Sequence, residues 1–260
     1  MLVKLENYSF IMKNFVLILT FLTLFSCGEQ KNYVTKIEGK KLPLTDKLSK
    51  NNEIDNFIKP YRDKINKEMS EVLANNPETL DKTGEWQTNL GMLLADITMS
   101  YGNKVYQKRN NKNIDVVLLN HGGIRSILPK GDLTMRNAYQ ISPFENSLFV
   151  MELKGEQILE MCNYYINEKK PHPLAGMTFT IDSNKKPINI MIQNQPLDLN
   201  KIYSVGTSDY LSNGGDNMNF FKKNVGSHDL DYKLRNILID YLKDIETVVV
   251  DKTPRITVQQ

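Results

Sequence analysis

An α+β domain, with helices and strands in mixed α/β layers, is the fold class this sequence predicts. Three features lead there. Apolar residues recur at helical spacing in several stretches, short β-branched runs bounded by turn residues read as strands, and the two kinds do not alternate strictly. Hydrophobic content of 40% and charged content of 24% suit a globular fold. The net charge is +3 and the basic residues are scattered among acidic ones, which argues against nucleic acid as a partner.

Residues 1–26 read as a signal peptide rather than as part of the fold. Lys13 supplies the positive start, and residues 15–25 form an apolar run broken only by Thr20 and Thr23. That run is too short to span a bilayer as a mature helix but suits the apolar region of a signal. Leu24-Phe25-Ser26-Cys27 resembles a bacterial lipobox. The resemblance implies cleavage before Cys27, a lipid on its thiol, and a protein held on a membrane of the bacterial cell envelope, periplasmic or surface-facing. An ordinary secretory signal, or an uncleaved anchor, is the alternative. Met12 is the better start, because Leu2 to Ile11 adds nothing to the signal. Residues 27–50 are polar and lysine-rich, with Gly39 and Pro43, and read as a tether to a folded domain at 51–260. With Cys27 acylated, Cys162 has no disulfide partner, so stability must come from core burial. Cys162 ends an apolar helical stretch, Ile158-Leu159-Glu160-Met161-Cys162, and reads as a buried structural thiol rather than a nucleophile.

Within the domain, Ile54, Phe57, Ile58, Tyr61, Ile65, Met69, Val72 and Leu73 predict a helix over about 53–74, kinked or restarted at Pro60. Residues 75–85 read as a polar loop. Thr88 and Asn89 offer caps for a helix over about 88–101, which Gly102-Asn103 should stop. The run Val116-Val117-Leu118-Leu119 reads as a buried strand, and residues 120–125 as the turn after it. A short helix is expected at 134–139, a strand at 148–154, and a helix at 155–167. Further strands are expected at 179–181, 188–192 and 202–206, then a helix at 230–242 and a closing strand at 255–258.

Three segments carry candidate chemistry. In Asn120-His121-Gly122-Gly123-Ile124-Arg125, paired glycines after a strand let the backbone approach a ligand. Asn120 offers a donor and an acceptor, and Arg125 a fork suited to carboxylate or phosphate. An anion-contacting loop and a plain glycine turn with a surface arginine fit these residues equally. In Tyr210-Leu211-Ser212-Asn213-Gly214-Gly215-Asp216, the Asn-Gly-Gly turn places Asp216 where it could accept from sugar hydroxyls, with Tyr210 offering a flat face. The other reading makes Asp216 a cap and Tyr210 core. Pro143-Phe144-Glu145-Asn146 sets an aromatic ring in a loop before a strand.

Taken in order, Asn-x-Gly-Gly-Ile-Arg, Pro-Phe-x-Asn and aromatic-x-x-Asn-Gly-Gly-Asp closely resemble the C-terminal, substrate-binding domain of the 5'-nucleotidase family. Gln87-Thr88-Asn89-Leu90-Gly91 resembles the start of that domain's first helix. The resemblance covers nearly everything from about 51 onward. It implies that Phe144 and Tyr210 sandwich the base of a nucleotide or nucleoside and that Asp216 binds ribose hydroxyls. It implies polar contacts from Asn120, Asn146 and Arg125, the arginine reaching the phosphate, with Gly122, Gly123, Gly214 and Gly215 shaping the two turns. Stacking suits such a site, since every base has a π-face. Two departures stand out: Tyr210 replaces a frequent Phe, and the extra arginine that members carry before the first helix is missing from residues 81–87.

In that family hydrolysis belongs to a separate metallophosphatase domain, whose dinuclear site needs several His, Asp and Asn ligands. Three histidines occur here, His121, His172 and His228, and none lies in an Asp-x-His or Gly-Asn-His context. The expectation is therefore no metal or cofactor in this chain. Divalent metals would belong to a partner metallophosphatase chain, together forming a split 5'-nucleotidase. A stand-alone nucleotide- or nucleoside-binding lipoprotein is the alternative.

Overall fold

The computed structural model describes residues 12–21, 33–45, 48 and 51–259. Cys27 and the lipobox lie outside the described residues. The chain divides into two units, Met1–Asn52 and Glu53–Gln260. In the first, residues 12–21 form helix α1, and residues 33–45 carry no regular structure. Among the described residues no helix is long and apolar enough to cross a membrane.

The second unit holds the layered domain. After α2 (Asn52–Met69) come β1 (Val72–Asn76), α3 (Asn89–Asn110), β2 (Val116–Leu118), β3 (Gly131–Thr134), α4 (Met135–Ile141), β4 (Ser147–Lys154) and α5 (Gly155–Glu168). Then follow β5 (Leu174–Ala175), β6 (Met177–Ile181), β7 (Pro187–Ile192), β8 (Gln195–Pro196), β9 (Ile202–Ser208), α6 (Asp209–Ser212), β10 (Gly226–Lys233), α7 (Leu234–Asp244) and β11 (Ile256–Val258). The central sheet has the order β10-β4-β9-β2-β5, a second sheet runs β11-β6-β7-β8, and β1 pairs with β3.

Both faces of the central sheet are covered, as alternate burial along β2 shows. Val117 joins a core with Leu90, Leu93 and Ile97 of α3 and Ile237, Leu238 and Leu242 of α7. Val116 and Leu118 join the opposite core, with Ile158, Met161 and Cys162 of α5 and Phe179 and Ile181 of β6. That two-sided burial is why β2 is a continuous apolar run rather than an alternating one. Cys162 is fully buried, and burial pushes its thiol up to about 12, which leaves it inert.

Several elements differ from the sequence reading, among them the short β3, β5, β8 and α6, which it did not contain. The first long helix ends at Met69, because Val72 to Asn76 form a strand paired with β3. α2 runs on through Pro60 as one element and buries none of its residues. α3 does not stop at Gly102 but continues to Asn110, where Asn111 ends it in the left-handed conformation at φ 54°. Gly102 is a packing residue: a Cβ there would lie 2.7 Å from Leu148 Cδ2 and 2.9 Å from Ile114 Cδ1. Finally, residues 226–233 form edge strand β10 against β4, and helix α7 begins only at Leu234.

The Gln87-Thr88-Asn89 segment proves to be a joint. Thr88 Oγ1 accepts from Gly91 N at 2.9 Å as the cap of α3, and Gln87 Oε1 accepts from Arg255 N at 2.8 Å, tying down the approach to β11. Asn89 Oδ1 accepts from Asp81 N at 2.8 Å. Thr88 is buried, so no water replaces its hydroxyl. Thr88→Ala is expected to cost about 1–2 kcal/mol, read as a lower urea midpoint at unchanged slope.

Candidate functional site

The sheet topology gathers four segments at one edge. β2 runs parallel to β9, with Val116 opposite Val205 and Val117 opposite Gly206, so their C-terminal ends lie together. β4 runs antiparallel to β9 with Leu148 opposite Ser208, which puts its N-terminal end at the same edge. β5 is antiparallel to β2, Leu174 opposite Leu118, and also begins there. Residues 120–125, 143–146, 210–216 and 170–173 therefore share this edge.

Asn120 and Asp216 meet directly across 96 residues of sequence: Asn120 Nδ2 donates to Asp216 Oδ2 at 2.8 Å. The Tyr210 hydroxyl donates to Asp216 Oδ1 at 2.9 Å and accepts from the Asp216 N–H at 3.1 Å. Tyr164 of α5 donates to the Asp216 carbonyl at 2.7 Å. These bonds hold a backbone that a side chain disfavours, since Asp216 and Asn217 sit at φ 51° and 61°. Gly215 makes the geometry possible, because a Cβ there would lie 2.5 Å from the Tyr210 ring. Asp216 is thus the keystone of its turn rather than a helix cap. Tyr210 is 47% exposed and is not core.

Phe144, 45% exposed, lines the same cleft as Asn120. Its loop is pinned from α7 and β10. The buried Arg235 donates to the Pro143 carbonyl at 3.2 Å and pairs with Glu145, whose carboxyl the guanidinium holds below its ordinary range. Lys233 Nζ donates to the Glu145 carbonyl at 2.9 Å and to Ser147 Oγ at 2.7 Å. The Asn146 carbonyl accepts from Leu234 N at 2.9 Å, which turns the chain into β4. Arg125 lies over Phe144, its guanidinium carbon 5.9 Å from the ring centroid. Asn120, Phe144 and Asn146 line the mouth of a narrow cleft floored by Leu94, Ile97 and Ile141, with a cavity volume of about 50 Å³. Ordinary small-molecule pockets measure roughly 300–1,000 Å³. The rings thus offer faces at a surface, not a closed chamber.

Three residues at this edge escaped the sequence reading. Lys82 Nζ donates to the Ile124 carbonyl at 3.1 Å, so a cation from the segment before α3 reaches the Gly-Gly-Ile-Arg turn. Residues 81–87 hold no arginine, and Lys82 is the cation of that segment. Tyr164 gave no signal, because it occupies one more turn of an amphipathic helix. His172 lies between two prolines and is 2% exposed. Its Nδ1 accepts from the His121 N–H at 3.1 Å, which requires the neutral ring with the proton on Nε2. His121 itself is held below its ordinary value, first by burial and then by the charge of Lys82.

Burial lowers the His172 pKa from 6.5 to about 4, with Asp216 opposing that shift. The unfolded chain takes up this proton as pH falls below 6.5, whereas the folded chain resists until about 4. Stability present above pH 6.5 is therefore lost progressively as pH falls toward 4, by up to about 3 kcal/mol. Urea denaturation at pH 7 and pH 4.5 should show this loss, and His172→Asn, which cannot titrate, should show less of it.

The chain is a layered α+β domain whose sheet edge presents two open rings, a carboxylate and two cations. The comparisons make the class specific. Residues 70–223, more than half of the chain, match the family model "5'-nucleotidase, C-terminal domain", and the chain belongs to that family. A 5'-nucleotidase of Vibrio parahaemolyticus is 23% identical over 225 residues, covering 83% of this chain and 38% of that protein. Protein UshA of Escherichia coli is 22% identical over 196 residues, covering 72% and 34%. The crystal structure of a 5'-nucleotidase precursor from Thermus thermophilus superposes with a TM-score of 0.66 at 25% identity, covering 79% of this chain and 43% of that one. The chain spans less than half the length of these relatives.

Proposed function

We propose that this chain supplies the nucleotide- or nucleoside-binding half of a split 5'-nucleotidase, with a separate metallophosphatase chain providing the divalent metals and the hydrolysis. One observation carries the reading: Asn120, Tyr210 and Asp216 form a single hydrogen-bonded unit at the edge where Phe144 and Arg125 also stand. In this reading the base stacks on Phe144 and Tyr210 and the ribose hydroxyls donate to Asp216. Its oxygens retain lone pairs beside their present bonds. Arg125 and Lys82 face the phosphate, the arginine as a bidentate fork and the lysine as a point charge. Among the described residues no group of three or more His, Cys, Asp or Glu is placed to hold a metal. A stand-alone binding protein differs from this reading only in lacking the partner.

Calorimetry with adenosine and AMP tests the binding. Phe144→Ala and Tyr210→Ala should each weaken adenosine binding roughly ten- to hundredfold. Asp216→Ala should weaken ribosides by a similar factor and leave free adenine unchanged. Arg125→Ala and Lys82→Ala should weaken AMP more than adenosine. No heat from a folded sample at millimolar adenosine would remove independent binding from the proposal. For catalysis, the purified chain with manganese or zinc should release no phosphate from AMP, and addition of the metallophosphatase chain should start release. Metal-dependent turnover by the chain alone, in a preparation free of other phosphatases, overturns the division of labour.

We also propose that Cys27 carries the lipid that holds the protein on a cell-envelope membrane. A single acyl chain binds membranes only marginally and firm anchoring needs more than one. Cys27→Ser is expected to shift the protein to the soluble fraction, and retention of the serine variant in the membrane would show the lipid assignment to be wrong.

A further inference from the structure

We infer that His172 is a positioning residue of the nucleoside site, setting the Asn120 loop and, through Asn120, the ribose-binding carboxylate of Asp216. The inference rests on the binding site proposed above. It begins from where His172 stands. The residue precedes β5, at the sheet edge where the loops after β2 and β9 end. Its ring lies between Tyr164, at 5.8 Å between centroids, and Tyr165, at 5.5 Å. Its backbone is fixed as well: the His172 carbonyl accepts from the Tyr165 hydroxyl at 2.7 Å, and the neighbouring Pro173 carbonyl accepts from Leu119 N at 2.9 Å. An acceptor nitrogen is thereby held rigidly against the end of β2.

What that nitrogen holds is the first peptide of the substrate loop. His172 Nδ1 accepts the His121 N–H at 3.1 Å, and the residue before His121 is Asn120, whose amide donates to Asp216 at 2.8 Å. The path from a buried ring to the functional carboxylate is thus two hydrogen bonds and one peptide unit. Tyr164 closes the path from the other side, since it packs on the His172 ring and donates to the Asp216 carbonyl.

The imidazole is otherwise a poor choice for this place. Its Nε2 is buried and has no hydrogen-bond partner among the described residues. A buried, unsatisfied donor is destabilising, and an apolar side chain filling the same space would carry no such cost. The one contribution an apolar side chain cannot make is the bond to His121 N. That bond needs the neutral ring, and the groups around it favour neutrality: Lys170 and His121 oppose a charge together with burial, against Asp216 and Glu168.

Two substitutions separate positioning from packing. Asn places a carbonyl oxygen close to where His Nδ1 lies, whereas Leu fills space and accepts nothing. In the full chain at pH 7.5, His172→Leu should weaken adenosine binding about tenfold or more, the scale of one lost hydrogen bond. His172→Asn should stay within about threefold of wild type on the same scale. Amide hydrogen exchange gives a readout free of ligand: the His121 N–H should exchange faster in the Leu variant and stay protected in the Asn variant. Nitrogen-15 spectra of the wild type should show Nδ1 unprotonated and Nε2 protonated, unchanged from pH 5.5 to 8. A Leu variant that binds as wild type, an Asn variant as weak as Leu, or a His172 protonated at Nδ1 overturns the inference. Wild type that gives no heat with adenosine removes the binding site instead, and His121 protection with the ring spectra still decides what His172 does.

Discussion

The pairing of β9 with β2 on one side and β4 on the other is the constraint on which the site depends. The β4–β9 ladder runs unbroken from Leu148 opposite Ser208 to Lys154 opposite Ile202. Seven consecutive pairs leave no freedom of register, because a slip of one residue would turn Val150 and Met151 to the wrong cores. That register places Leu148 opposite Ser208, and so the Phe144 loop beside the Tyr210 turn. The parallel direction of β2 then brings Asn120 to the same edge. Had β2 run the other way, Asn120 and Asp216 would lie at opposite ends of the sheet.

Layering makes those pairings stable. A sheet covered on both faces buries most of each central strand, so its backbone bonds are shielded and its loops emerge at the ends. Chemistry can then occupy loops without weakening the core. The cost appears locally, as left-handed backbone at Asp216 and Asn217 and a buried imidazole nitrogen without a partner among the described residues. Each is a departure from the ordinary rules of chain geometry or polar satisfaction, and both lie at the same edge of the sheet.

The supports of the site are more extensive than its contacts. Phe144 is half exposed, yet Arg235 and Lys233 bind Pro143 and Glu145 on either side of it. Asp216 accepts from hydroxyl and amide donors on α5, the β2 loop and its own turn, the α5 hydroxyl through its backbone carbonyl. A carboxylate held this firmly has a fixed orientation, which under the proposed function would lower the ordering cost of binding.

Residue by residue, the sequence determined most of the elements and the three turn motifs that the fold brings to one sheet edge. The glycine pairs, the aromatic residues beside them and the order of the three motifs are local patterns, legible because turn geometry and ring type depend on a few neighbouring residues. Helical and strand periods were legible in α5, β4, β9 and β2 for the same reason. Only the tertiary structure decided the rest, because it depends on partners far away in the chain. Val72 to Asn76 became a strand once β3 was present to pair with it, and Gly102 became a packing site once Leu148 lay against it. Asn120 met Asp216 because two strands run parallel. Lys82, Tyr164 and His172 carry no local mark of their roles, since what each does is set by a hydrogen bond to a residue more than 40 positions away.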